Sequence, residues 1–356
     1  MTKGALELVE RLESSGRGSG GGALVCGLER EAKGGWSCGG MLAIASQFGS
    51  TQPRWALAAD VSSERVRAAL AGLDTLADQT LLKTGVPGMA IAVVYRDEVI
   101  YLKGFGVREA GKDAKVDADT VFQLASVSKS VASTVVAALV SDGVVAWDDR
   151  IIDHDPDFQL YDAWATQAVT LRDMFAHRSG LPAFAGDLLE DLGYDRAEVL
   201  RRLRYQRPAS SFRSQYAYTN FGLTEAAVAA ARAAGRSWED VSAEKLYRPL
   251  GMASTSSRFA DYQRAENRAL THVSVDGRYV PRYVRDADAQ SPAGGVSSTV
   301  ATWRGGCAFT WATARSRAGG SSLPRGWQRR IVRRSSAAVR VTPRRTGQAF
   351  TDWAGT

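Results

Sequence analysis

The amino-acid sequence predicts an α+β fold in which a group of helices is inserted into a sheet. Two β-rich runs lie early in the globular part of the chain, at residues 89–107. One helical apolar pattern precedes them, and a series of such patterns follows as far as residue 247. Strands that come first and helices that follow as a group are typical of an α+β protein.

The first element is predicted to be one helix that begins after a cap at Ser62 and ends before Gly85 and Pro87. Five apolar residues recur there at helical spacing: Val66, Leu70, Leu73, Ala77 and Leu81. The next elements are the β-rich runs Met89–Tyr95 and Val99–Val107, which flank a short polar segment. This arrangement predicts a β-hairpin.

A buried helix is predicted from Ser126 to Val140, because the pattern there is largely apolar and ends at Gly143. Helical spacing predicts further helices at Leu171–His177, Arg196–Tyr205, Thr224–Ala234 and Trp238–Tyr247. The hairpin is therefore expected to be followed by a region built mainly of helices.

Composition divides the 356 residues into three predicted regions, 1–61, 62–302 and 303–356. The first is irregular, since ten of the 25 residues between positions 16 and 40 are glycine. The second has the periodicity of a globular domain and is long enough to form a core without disulfides or metals. The third loses this periodicity and contains eleven Arg, no Lys and four of the nine Trp.

The net charge of +7 belongs to the third region. Residues 63–300 hold 28 basic and 31 acidic side chains, whereas residues 301–356 hold eleven basic and one acidic side chain. The central region therefore gives no electrostatic reason to bind nucleic acid or anionic lipid. We interpret the Arg- and Trp-rich tail as the product of a shifted reading frame in a GC-rich gene, and a basic nucleic-acid-binding tail is the alternative.

Sparse His and Cys and the absence of long apolar runs argue against several classes of protein. No run of 18 apolar residues occurs, so no membrane span is expected. The three His residues are far apart and predict no metal site, and the three Cys residues give no disulfide framework. No adequate apolar stretch precedes the small residues at 56–58, so no secretory signal is predicted and a cytoplasmic location is expected by default.

The strongest chemical signal is Ser126-Val127-Ser128-Lys129, in which a hydroxyl and an amine are separated by three positions. On a helix such residues share one face, so Lys129 can accept the proton of Ser126 when its own pKa is lowered. The start of a helix also directs backbone N–H groups at developing negative charge. Ser and Lys at this spacing also occur by chance, but Lys129 is one of only eight lysines and lies in an apolar helix, where a buried amine is costly.

A second signal is Tyr218-Thr219-Asn220. A phenol close to Lys129 can carry a proton and later protonate a leaving group, and an Asn amide can orient both a lysine and a substrate carbonyl. The structural alternative is an aromatic turn that precedes the helix at Thr224.

Two further motifs have structural interpretations. The segment His177–Pro182 is predicted to end a helix with Gly180 as its cap, and His177 is predicted to tie a loop. The segment Pro292–Ser298 lacks the Gly-Lys-Ser/Thr ending of a phosphate loop, so no phosphate site is predicted.

Five segments occur in an order that is specific although each is weak alone: Phe122–Lys129, Ala176–Pro182, Tyr218–Asn220, Pro249–Met252 with Ser254-Thr255, and Ala293–Ser298. Together they resemble the serine β-lactamase-related hydrolases, which include class C β-lactamases, DD-peptidases and esterases of the same fold. The resemblance covers about residues 62–300.

The resemblance implies a β-lactamase/transpeptidase-like fold: a five-stranded antiparallel sheet flanked by helices, with a helical region beside it and the site between them. It implies that Ser126 is the acylated nucleophile, that Lys129 accepts its proton, and that Tyr218 is a general base and acid. Asn220 would contact Lys129 and the substrate amide. The implied reaction is acyl transfer from a β-lactam, a peptide amide or an ester to water, with no metal or organic cofactor.

The sequence departs from the family pattern at the third motif. Neither K-[ST]-G nor H-x-G follows Asn220, and the similar Arg345-Thr346-Gly347 has only nine residues after it. The fold is therefore predicted to be incomplete at its C-terminal end, and a catalytically inactive truncated relative or a ligand-binding module is the alternative to a hydrolase. The expected partner is a small-molecule or peptide substrate, with no nucleic acid and no assigned oligomeric state. The family adds a periplasmic or secreted location as an alternative.

Overall fold

A computed structural model describes residues 62–95 and 98–303, together with two short strands, β1 (Glu29–Arg30) and β2 (Trp36–Ser37), which pair antiparallel. The predicted irregular segment at 1–61 lies, apart from those two strands, outside the described residues. The predictions for the tail after residue 303, including Arg345, also lie outside them. The described part is an α+β structure, as predicted.

The first predicted helix is divided in two, α1 (Ser63–Leu70) and α2 (Leu73–Thr84). The Ser62 hydroxyl caps α1 by accepting a hydrogen bond from the Arg65 amide at 3.2 Å, and Gly85 ends α2 with a left-handed φ of 69°. The prediction of one continuous helix is wrong because Gly72, which has little helical preference, precedes α2 as its N-cap.

The predicted hairpin is confirmed by strands β3 (Gly88–Tyr95) and β4 (Glu98–Gly106), which pair antiparallel with a shift of register between Val93 and Val94. Helix α2 packs against β4, and Lys103 Nζ lies 2.5 Å from the Asp74 carboxylate of that helix. This pair is half exposed, so most of the attachment comes from the buried apolar side chains of α2 rather than from charge.

The predicted helical region is confirmed, with shifted boundaries. Its central helix is α3 (Ser128–Ser141), which follows a 3₁₀ turn at Ala125–Val127. The next six helices are α4 (Ile151–His154), α5 (Ala163–Ala168), α6 (Leu171–Phe175), α7 (Asp187–Asp191), α8 (Arg196–Arg202) and α9 (Asn220–Ala233). They are followed by α10 (Trp238–Ser242), which continues as a π-helical turn at Ala243–Tyr247, and by α11 (Phe259–Arg264).

Helices α3 and α9 form the centre of the main core. The core face of α3 is almost completely shielded from water and consists of Val131, Ala132, Val135, Val136 and Leu139. Helix α9 packs against α3, α4 and α6 through small alanines together with Phe221 and Leu223. Each such large apolar side chain contributes about 1.5–3 kcal/mol by its burial. Residues at the starts of α3 and α9 are therefore held by a rigid core.

Short antiparallel pairs complete the described part. Strands β6 (Val273–Val275) and β7 (Arg278–Val280) form a small hairpin. Strand β5 (Phe122–Gln123) pairs with β8 (Ser297–Ser298), which follows helix α12 (Ser291–Gly294). The segment Pro292–Ser298 thus forms part of a helix and a strand. The pairing also brings α12 beside the start of α3.

The described strands form four separate two-stranded sheets. Of the five-stranded sheet that the resemblance implies, the hairpin β3–β4 is the part seen among the described residues. The prediction that the fold is incomplete at its C-terminal end concerns residues outside that part. No helix within it has the length and apolar character needed to cross a bilayer.

Candidate active site

Ser126 lies in the 3₁₀ turn that leads directly into α3. Leu124 anchors this turn, because its amide donates to the Val296 carbonyl at 2.8 Å. Ala125 adopts a left-handed φ of 44°, which costs about 1–2 kcal/mol for a residue with a Cβ. Strain of this kind is concentrated at functional sites, where the surrounding structure maintains it. Here the strained residue directly precedes the predicted nucleophile.

The Lys129 amine is held by acceptors from three parts of the chain. Its Nζ lies 3.1 Å from Ser126 Oγ, 2.6 Å from Asn220 Oδ1 and 2.9 Å from the Ala293 carbonyl oxygen. It also lies 4.7 Å from the centre of the Tyr218 ring. These contacts point the amine at the serine hydroxyl and fix it there.

Tyr218 completes the surroundings of the hydroxyl, since its phenol oxygen lies 2.8 Å from Ser126 Oγ. The ring packs between His177, with a centroid distance of 4.9 Å, and Phe184, at 5.6 Å. The Phe184 amide also donates to the Tyr218 carbonyl at 2.8 Å. The phenol is therefore positioned through both its ring and its backbone.

His177 orients the tyrosine segment rather than reaching the serine. Its Nδ1 accepts a hydrogen bond from the Thr219 amide at 3.2 Å, so the proton of the neutral ring is on Nε2. Burial, together with the positive charge of Lys129, lowers the pKa of His177 to about 4. These contacts agree with the prediction that His177 ties a loop. The predicted Gly180 cap is wrong, because α6 ends at Phe175 and His177 itself takes the left-handed conformation.

Asn220 is the first residue of α9 and is only 8% exposed. Its Oδ1 accepts from Lys129, and its Nδ2 donates to Asp187 Oδ2 at 2.8 Å. Burial raises the pKa of Asp187, and the hydrogen bond from Asn220 and the charges of Lys129 and Arg285 oppose this effect. The amide thus joins an amine and a carboxyl group inside the protein.

The structure brings together all four residues that the sequence predicted for the site, Ser126, Lys129, Tyr218 and Asn220. It adds Asp187 and the Ala293 carbonyl, which sequence reasoning did not assign to the site. Within the described ranges, no group of three or more His, Cys, Asp or Glu side chains is arranged to hold a metal ion. A hydroxyl between an amine and a phenol is suited to proton removal and nucleophilic attack.

The model of the family described as Beta-lactamase matches residues 66–354. The chain therefore belongs to the beta-lactamase family. The match includes the site residues and extends through most of the segment predicted as an Arg-rich tail.

Curated relatives and a solved structure agree with this assignment. The chain is 30% identical over 250 residues to "Unguisins hydrolase ungD'" of Aspergillus campestris, covering 66% of this chain and 45% of the relative. It is 31% identical over 173 residues to "Penicillin-binding protein 4" of Amycolatopsis lactamdurans, covering 47% and 44% respectively. These matches thus span less than half the length of either relative.

The octameric penicillin-binding protein homologue from Pyrococcus abyssi is similar in structure, with a TM-score of 0.57 and 20% identity. The similarity covers 67% of this chain and 56% of that chain. The chain therefore has the β-lactamase/transpeptidase-like fold that its sequence predicted.

Proposed function

We propose that this protein is a serine hydrolase that forms an acyl-enzyme on Ser126. The observation that carries the proposal is the position of Ser126 Oγ, which lies within hydrogen-bond distance of both Lys129 Nζ (3.1 Å) and Tyr218 OH (2.8 Å). Two groups that can accept or return a proton therefore meet at one hydroxyl, which is the arrangement that nucleophilic catalysis requires.

In the proposed acylation step, Ser126 Oγ attacks the substrate carbonyl carbon and its proton passes to the Lys129 amine. We propose that the backbone N–H of Ser126, at the start of the helical segment, donates to the oxyanion that forms. The carbon–nitrogen or carbon–oxygen bond then breaks, and Tyr218 delivers the proton to the leaving group. Tyr218 is re-protonated from the Lys129 ammonium.

In the proposed deacylation step, water attacks the ester on Ser126, and its proton passes to the neutral Lys129 amine. The ester bond breaks, the acid leaves, and the Lys129 ammonium returns the proton to Ser126 Oγ. Asn220 holds Lys129 through Oδ1 and contacts the substrate amide. We propose amides, β-lactams and esters as substrate classes. The names of two relatives, an unguisins hydrolase and a penicillin-binding protein, support acyl-transfer substrates that include a β-lactam.

A second candidate function is ligand binding without turnover. It is favoured by the missing third motif, since no K-[ST]-G or H-x-G follows Asn220 in the sequence. In the family that the sequence resembles, the strand with this motif also supplies the second oxyanion N–H, and loss of one such donor lowers the rate by about 10²–10³-fold. A chain of this kind would bind substrate or become acylated and then turn over slowly or not at all.

Intact-mass spectrometry with a fluorophosphonate and a β-lactam probe tests the proposal. We expect one adduct per folded chain, mapped to Ser126, and no adduct on the Ser126→Ala variant. A β-lactam adduct that persists would favour binding without turnover, and its disappearance with release of hydrolysed probe would favour the hydrolase. No adduct on folded wild-type protein would overturn the proposal.

A further inference from the structure

We propose that Asp187 is a positioning residue that fixes the orientation of the Asn220 amide and thereby holds the Lys129 amine at Ser126. The inference rests on the proposed function of this site and adds a residue to it. It starts from two hydrogen bonds made by the Asn220 amide. Its Nδ2 donates to Asp187 Oδ2 at 2.8 Å, and its Oδ1 accepts from Lys129 Nζ at 2.6 Å.

An asparagine amide has nearly the same shape in its two flipped orientations, but its ends differ chemically. One end donates two hydrogen bonds and the other accepts. An ionised carboxylate only accepts, so Asp187 selects the orientation in which Nδ2 faces it. The oxygen of Asn220 must then face Lys129. In the flipped orientation the Asn220 Nδ2 donor would face the Lys129 Nζ donor, and the Asn220 Oδ1 acceptor would face the Asp187 carboxylate, which is also an acceptor.

Burial makes this selection strong. Asn220 is only 8% exposed, so water has little access to a misoriented amide. A buried polar group left without a partner costs about 1–3 kcal/mol, and more when it is charged. Removing the acceptor at position 187 therefore releases the amide to flip and to leave the lysine less well held.

The local backbone places Asp187 with little freedom. Gly186, just before it, has a left-handed φ of 94°, and a Cβ at that position would lie 2.8 Å from Val199 Cγ1. Helix α7, which Asp187 begins, is held at its other end by Arg285, which bonds to Glu190 and Asp191. The short helix that carries Asp187 is thus fixed at both of its ends.

Kinetics of Ser126 labelling give the first test. We expect Asp187→Leu to lower the rate of fluorophosphonate labelling by up to about 10²-fold, as expected for a displaced catalytic group. Asp187→Asn keeps an acceptor oxygen and should lose less. Asp157→Asn, at an exposed aspartate outside this helix, is the control and should label at the wild-type rate. In the Asn220→Ala background, Asp187→Leu should have no further effect, because a residue that acts only through Asn220 is non-additive with it.

Asparagine side-chain NMR gives a second test that does not depend on activity. The sequence contains two Asn residues, and the other, Asn267, donates to Asp117 at 2.9 Å. With ¹⁵N-labelled Asn, Asp187→Leu should shift the Asn220 amide signals and leave those of Asn267 in place.

An unchanged Asn220 signal in Asp187→Leu would overturn the inference, whether or not the protein labels at Ser126. Full additivity of the two substitutions would overturn it as well. Absence of labelling in wild-type protein, with the NMR shift present, would instead overturn the proposed function and leave the hydrogen-bond role of Asp187 standing.

Discussion

At the scale of single residues, removal of the Tyr218 phenol oxygen tests the proposed proton transfer while the packing of the ring is retained. Tyr218→Phe removes the group 2.8 Å from Ser126 Oγ and keeps the ring contacts with His177 and Phe184. We expect the rate of acylation to fall by about 10²–10⁴-fold, the usual contribution of a general acid or base. The melting temperature should change little. Steady-state kinetics and a thermal melt measure the two effects.

Tyr216→Phe is the control for this prediction. Tyr216 is 61% exposed and contacts the edge of His177 without contacting the serine in any described hydrogen bond. It should retain wild-type kinetics. Wild-type acylation by Tyr218→Phe would show that the phenol does not take part in proton transfer.

The candidate site residues that the sequence could indicate are those whose chemistry is in their side chains and whose spacing is informative. Ser126 and Lys129 are one helical turn apart, and Tyr218 and Asn220 lie in a short motif. Ala293 was not predicted because it contributes a backbone carbonyl, which any residue would supply. Asp187 was not predicted because a single acidic residue at the start of a short helix carries no periodic signal, and only the fold brings it to Asn220.

At the scale of elements, the turn before α7 depends on a glycine that sequence patterns did not single out. Gly186→Ala would place a Cβ 2.8 Å from Val199 Cγ1 and 3.0 Å from Phe221 Cδ2, in a left-handed conformation. We expect a loss of about 2–4 kcal/mol of unfolding free energy, since overpacking adds to backbone strain. Chemical denaturation measures the loss.

Gly193→Ala is the matched control, because its φ of 88° is similar but a Cβ there would meet nothing within 4 Å. Its unfolding free energy should fall only by the cost of the left-handed backbone conformation, about 1–2 kcal/mol. Equal losses at the two positions would show that contact with the core does not fix this turn.

Elements with strong periodicity were predicted well, and their ends were not. The hairpin β3–β4 and helix α3 follow from alternating and helical apolar patterns. The break at Gly72 was missed because an isolated glycine is tolerated in a helical pattern. Helix α9 begins at Asn220 rather than Thr224 because the buried Phe221 and Gly222 continue the helix toward the site. Such boundaries are decided by tertiary contacts rather than by local preference.

At the scale of the whole molecule, a buried acid makes stability depend on pH. Glu225 of α9 is 2% exposed and lies beside Asp155, which pairs with Arg232. Burial, followed by the charge of Asp155 and a hydrogen bond to it, raises the pKa of Glu225 well above its ordinary value of 4.5. The folded chain therefore keeps a proton that the unfolded chain releases as pH rises above that value. By linkage, this group lowers stability with increasing pH until its folded pKa is passed.

Glu225→Gln removes this ionisation while keeping shape and hydrogen-bonding capacity. We expect the melting temperature of the variant, relative to wild type, to rise between about pH 5 and pH 8. Only the wild type has a carboxyl group that stays protonated in the folded chain and ionises in the unfolded chain, so only the wild type is destabilised by this group as pH rises. Thermal melts of both proteins across that range measure the difference. A variant that becomes relatively less stable toward pH 8 would contradict the assignment of a raised pKa.

The central claim is that the Lys129 amine activates the Ser126 hydroxyl, and the rate of covalent modification at Ser126 tests it most directly. Lys129→Met keeps a long unbranched side chain and removes the amine. The account predicts a single fluorophosphonate adduct at Ser126 in wild-type protein and a labelling rate about 10²–10⁴-fold lower in Lys129→Met of unchanged fold. Equal rates in the two proteins, or an adduct on another residue, would contradict it.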